Sequence, residues 1–203
     1  MVEKIAFVLC VLSLVLAPEN SVRANEAQDQ LVEQGVAFYD DEEYEKAKAI
    51  LLPLAEAGHA KAMNIVGRMH ENTGVFPNDP KIECDWYEKS ANAGYVSAMN
   101  NLSICYEKGL GRPHDIDLML GWREQSATKG SILGMINLAR VDDEYGESYR
   151  YWMNQAVKHG SVYAKVSLKL QGYEQGVPDL KIQDTLCVYV RILIFDGSFL
   201  ACD

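Results

Sequence analysis

The sequence predicts an all-α protein assembled from repeated helix-turn-helix units. Three runs align without gaps: Trp86-Tyr87-Glu88-Lys89-Ser90-Ala91-Asn92-Ala93-Gly94, Trp122-Arg123-Glu124-Gln125-Ser126-Ala127-Thr128-Lys129-Gly130 and Trp152-Met153-Asn154-Gln155-Ala156-Val157-Lys158-His159-Gly160. A weaker copy ends at Pro53-Leu54-Ala55-Glu56-Ala57-Gly58. Each closing glycine is followed four residues later by a small residue, Ala62, Ala98, Gly134 or Ala164, giving spacings of 36, 36 and 30 residues. Fixed periods of this size mark stacked repeats, in which one helix pair cannot cover its own apolar faces and its neighbours complete the core.

The chain begins with a separate segment. Lys4 precedes an uncharged run from Ile5 to Ala17, then helix-breaking Pro18 and Val22-Arg23-Ala24. That run is short for a bilayer span, so residues 1–24 are expected to be a cleaved secretory signal. The repeat region is expected over 25–195, with a tail at 196–203 that follows no repeat. No later stretch is long enough to span a membrane, so no membrane insertion is expected once the signal is removed.

Within a unit, Ala98, Leu102, Cys105 and Tyr106 recur at spacings of three and four, one face of a helix. Gly109-Leu110-Gly111-Arg112-Pro113 then breaks it, since glycine supplies positive φ and proline cannot continue a helix. Asp115 is placed to cap the next helix, which is expected to carry Leu118 and Trp122 inward and to end at Gly130. The small residue opening each first helix allows neighbouring helices to approach closely.

Composition narrows the function. A formal net charge of -10 opposes general nucleic-acid or anionic-membrane binding, which require a surplus of Lys and Arg. Signal removal leaves Cys84, Cys105, Cys187 and Cys202; the even count permits two disulfides in three pairings, and buried free thiols are the alternative. No CxxC pair occurs, so zinc is not expected. His70 takes a packing slot, and His59 and His159 lie at helix ends. The acidic runs Asp40-Asp41-Glu42-Glu43 and Asp142-Asp143-Glu144 fall at expected turns without calcium-loop spacing. Ser126-Ala127-Thr128-Lys129 matches the Ser-x-x-Lys signature of penicillin-recognising enzymes, yet it lacks the companion motifs and falls on a small-residue repeat slot. No catalytic residue, cofactor or metal is expected.

The units from Ala62 to Gly94 and from Ala98 to Gly130 resemble the Sel-one-like repeat (SLR) family, relatives of tetratricopeptide repeats. The shared pattern is Ala-x-x-x-Leu-Gly-x-x-Tyr, a Gly/Pro turn, then Trp-Tyr-x-Lys-Ala-Ala-x-x-Gly, and the resemblance covers most of residues 30 to 190. The family's helix glycine is kept as Gly67 but replaced by Ser103, Ala139 and Lys169. The unit from Ala164 loses its Trp, as a capping repeat would. The resemblance implies a right-handed α-solenoid of about five TPR-like repeats, first helices lining a concave groove. The positions then facing the groove are Asn64, Arg68 and Glu71, then Asn100, Ile104 and Glu107, then Ile136, Arg140 and Asp143. It also implies a non-catalytic, periplasmic or secreted protein that binds a protein partner as an envelope adaptor or scaffold. One alternative is an immunity protein that neutralises a basic secreted effector, such as a type VI secretion lipase. Another is a β-lactam- or peptidoglycan-directed enzyme.

Overall fold

The computed structural model describes residues 25–71, 73–141 and 146–173, and every regular element among them is an α-helix. They fall into two compact units, one ending at Tyr95 and the other beginning at Val96. The expected signal segment (1–24), the expected tail (196–203) and the part of the expected repeat region after residue 173 lie outside the described residues.

The first unit holds α1 (25–40), α2 (Tyr44–Glu56), α3 (Ala60–Met69) and α4 (Pro80–Asn92). The Asp79 carboxylate accepts from the Lys81 and Ile82 backbone N–H groups, and Pro80 supplies a first-turn residue with no N–H to satisfy. His59 accepts from the Ala62 N–H and so caps α3. Val32, Ala47, Leu51, Val66 and Met69 form a fully buried core. Each large aliphatic side chain there contributes about 1.5–3 kcal/mol through its removal from water. The retained helix glycine has a steric reason: a Cβ on Gly67 would stand 2.8 Å from the Tyr87 ring and 3.2 Å from the Glu83 carbonyl. Tyr87 is buried over that glycine, and burial pushes its hydroxyl well above the ordinary tyrosine range, with the Glu83 charge adding to the effect.

The second unit holds α5 (Val96–Lys108), α6 (Ile116–Thr128), α7 (Ile132–Ala139), α8 (Glu147–Lys158) and α9 (Val162–Leu170). Asp115 caps α6 as the sequence predicts, accepting from the Leu118 N–H at 2.9 Å. Ser131 and Ser161 cap α7 and α9 in the same way. The links ending the second helices share one C-cap. At Gly130 (φ 89°) the glycine N–H donates to the Ala127 carbonyl and the Ser131 N–H to the Ser126 carbonyl. This pairing satisfies carbonyls that the helix end would otherwise leave open.

One element of the expected packing is corrected. Leu118 is 45% exposed and Trp122 only half-buried, while Met119, Arg123, Ser126 and Ala127 face inward. The inward stripe is thus set by Met119, and an error of one residue turns a helix by about 100°.

Close approach decides the small-residue slot at the third unit. A Cβ on Gly134 would lie 2.7 Å from the Ser126 Oγ and 2.9 Å from the Ala127 backbone nitrogen. Backbone cannot yield as a side chain can. Gly134→Ala is expected to destabilise by about 1–3 kcal/mol despite alanine's better helix propensity, read as a lower midpoint in urea. An unchanged or raised midpoint would mean that α7 moves away from α6 at little cost.

Candidate functional site

The first helices of the repeats are α1, α3, α5, α7 and α9, and the solvent-facing residues of α3 in one compact unit and of α5, α7 and α9 in the other are the candidate partner surfaces. Arg68, Glu71, Glu107 and Arg140 are exposed and Ile104 is half-buried, as a surface role requires. Asn64, Asn100 and Ile136 are buried and cannot meet a partner. Asp143 lies outside the described residues. In the second unit the solvent-facing stripe runs instead through exposed Ser97, half-buried Asn101 and Ile104 and exposed Lys108 on α5, and through exposed Leu133 and half-buried Asn137 on α7 to exposed Arg140 at its C-cap. It keeps the 4-3-4 spacing of a helix face but sits one residue beyond Asn100 and Ile136.

Asn100 is buried because its amide joins three elements. The Ser126 Oγ on α6 donates to Asn100 Oδ1 at 2.9 Å, and Asn100 Nδ2 donates to the Ser131 Oγ at the start of α7, also at 2.9 Å. Ser131 in turn accepts the Gly134 N–H. Every member is held by another, so this polar cluster fixes the register of α5, α6 and α7. In the following hairpin the equivalent positions are Ile136 and Ala156, both in the apolar core.

The same cluster answers the Ser-x-x-Lys match. Ser126 is fully buried and its hydroxyl is committed to Asn100, so no substrate carbonyl can reach it. Among the described residues, no group of three or more His, Cys, Asp or Glu could hold a metal ion. Nor is any described helix long and apolar enough to cross a membrane.

The exposed arginines are not loose. Arg68 lies over the Tyr39 ring at 4.8 Å, joining α3 to α1. The Arg140 Nη2 donates to the Tyr163 hydroxyl at 2.9 Å and its guanidinium stands 5.7 Å from that ring, joining α7 to α9. Tyrosines on neighbouring helices therefore set both guanidinium groups before any partner arrives. Glu107 is also engaged, accepting at 2.7 Å from Arg123, which is buried at the slot where the preceding repeat has Tyr87. Sequence reading missed this pair. The Trp-Arg dipeptide at a Trp-Tyr slot is the trace it leaves.

Among the remaining singled-out residues, His70 is buried and stacked on Phe76 at 4.4 Å, in keeping with a packing role. His59 bonds Asp29 at 2.9 Å while capping α3. Cys84 and Cys105 are buried and each is disulfide-bonded. Cys187 and Cys202 lie outside the described residues.

No family model matches the sequence, and no curated protein matches it. Solved structures do. A Sel1 repeat protein from Oxalobacter formigenes superposes with a TM-score of 0.62 at 22% identity, covering 72% of this chain and 61% of that one. A protective antigen of uropathogenic Escherichia coli strains, displaying an SLR fold, gives 0.61 at 23% identity, covering 78% of this chain and 36% of the antigen. The chain thus spans about three fifths and about one third of those proteins' lengths. The in-step Trp and Gly positions, the glycine-capped links and these superpositions agree: the fold of this chain is the α-helical Sel1-like repeat fold.

Proposed function

We propose that the chain is an exported, non-catalytic adaptor that holds a protein partner against the exposed faces of its first helices. The observation that carries this reading is the pre-set arginine, Arg140 on Tyr163, with exposed Leu133 two turns away on the same helix face, and Arg68 on Tyr39 as its counterpart in the first unit. An ordered arginine on one face with an exposed aliphatic group has the makings of a binding hot spot, because little side-chain entropy remains to be lost on association. The disulfide-bonded state of Cys84 and Cys105 supports an oxidising compartment, periplasmic or extracellular.

A second reading is favoured by charge. Residues 25–95 carry 14 Asp and Glu against 6 Lys and Arg, a net of -8, whereas residues 96–173 carry 8 against 9. Such concentration suits fast capture of a basic protein. If that partner is a toxic secreted enzyme, the role is immunity.

The test is affinity capture from envelope and secreted fractions, comparing the wild-type chain with Leu133→Glu plus Arg140→Glu. One dominant partner is expected, held at least about thirtyfold more weakly by the variant, the size of one hot spot. Equal retention by a folded variant would reject the first-helix face as the binding surface. Inhibition of the captured partner's own enzymatic activity would select the immunity role over the adaptor.

A further inference from the structure

The glycine-capped links Gly58 and Gly130 are equivalent, yet their surroundings differ. Above Gly130 lies the imidazole of His159, with Cδ2 and Nε2 at 3.6 and 3.7 Å from where a Cβ would stand. Nothing lies within 4 Å of the same point on Gly58. The repeat alignment puts different residues at the position of this histidine. His159 closes α8 just before Gly160, and the corresponding residue before Gly94 is Ala93, with nearly the same backbone (φ -76°, ψ 2° against φ -90°, ψ 11°). The second unit fills this position with its own planar ring. The first leaves an open cleft of about 380 Å³, lined by Ala55, Glu56, Gly58, Met63, Trp86 and Lys89.

We propose that this cleft receives an arginine side chain from a basic partner protein. The floor is apolar, and the Trp86 indole already attracts a cation, since the Lys89 Nζ stands 4.4 Å from its ring centroid. Lys89 is exposed on a flexible stem and can swing aside. A guanidinium suits the place better than an ammonium, because its plane can stack on indole. Exposed Glu56 on the rim supplies the counter-charge, and the net -8 of residues 25–95 attracts a basic chain. The cleft is built mainly from the last turn of α2 and the second half of α4, and of α3 it takes only buried Met63, which is not in the solvent-facing stripe. It therefore stands or falls independently of the adaptor reading.

The experiment is an amide and indole NMR titration of the full chain with the peptide acetyl-Gly-Arg-Gly-amide. Saturable shifts are expected at the Trp86 indole N–H and the Gly58 amide. The citrulline peptide, which keeps the shape and loses the charge, should cause none, and the lysine peptide should shift them less. Ala93→His should abolish the response by installing the missing ring, and Glu56→Gln should weaken it. Lys89→Ala should strengthen it by removing the competing cation. Three results would each overturn the proposal: an equal response to citrulline or lysine, binding that survives Ala93→His, or weaker binding by Lys89→Ala. The last would show that the Lys89 stem is part of the wall that holds the peptide and not a competing cation over Trp86.

Discussion

Cys84→Ala is expected to lower the stability of the chain by about 2–5 kcal/mol, which for a protein of this size lowers the melting temperature by roughly 4–20 °C. Both Cys84 and Cys105 are disulfide-bonded and buried, so no water-borne reductant meets either sulfur in the folded state. Removing a bridge frees the unfolded chain to explore more conformations, and that gain in entropy opposes folding. Alanine leaves no polar atom behind, which keeps the effect separate from the burial of a new hydroxyl. Thermal melts without reductant measure it, and Cys105→Ala should give a loss of the same order. Alkylation of the denatured, unreduced chain should leave both positions unlabelled. Ready labelling of Cys84, or a midpoint equal to wild type, would show that these sulfurs do not constrain the fold.

Asn100→Ala should cost about 2–4 kcal/mol. It strands the hydroxyl of fully buried Ser126 and removes the bridge to Ser131. An unsatisfied buried donor keeps the full penalty of leaving water, and the deleted amide leaves a cavity. Ser126→Ala in the same chain should recover part of the loss, so a double-mutant cycle is expected to show strong coupling. This prediction also separates the two readings of Asn100. A groove residue would lose partner affinity with its melting temperature unchanged, whereas the structure calls for lost stability and unchanged affinity in whatever fraction remains folded.

Much of the architecture was legible in the sequence because repetition carries its own check. Three tryptophans and four glycines in step mark the helices and the links, and Asp115 shows where one helix begins, because caps and glycine links are local chemistry. His70 could be assigned to packing because its slot holds Tyr106 in the next unit. The partner face was legible only in part. A 3.6-residue period locates a helix face to within about one residue, and one residue turns the helix by about 100°. That margin separates buried Asn100 from partly exposed Asn101, and buried Ile136 from partly exposed Asn137.

What the sequence determined by itself was therefore the α-helical repeat, its units, its caps and its linking turns, all set by interactions within a few residues of one another. Only the tertiary structure decided what depends on distant chain segments meeting. Gly134 must be glycine because the backbone of α6 passes beneath it, and Arg123 can be buried because Glu107 reaches it from α5. The space over Gly58 is open, whereas the His159 imidazole stands over Gly130. Spacing along a chain fixes which residues share a face, but contact between faces depends on the shape and chemistry of both.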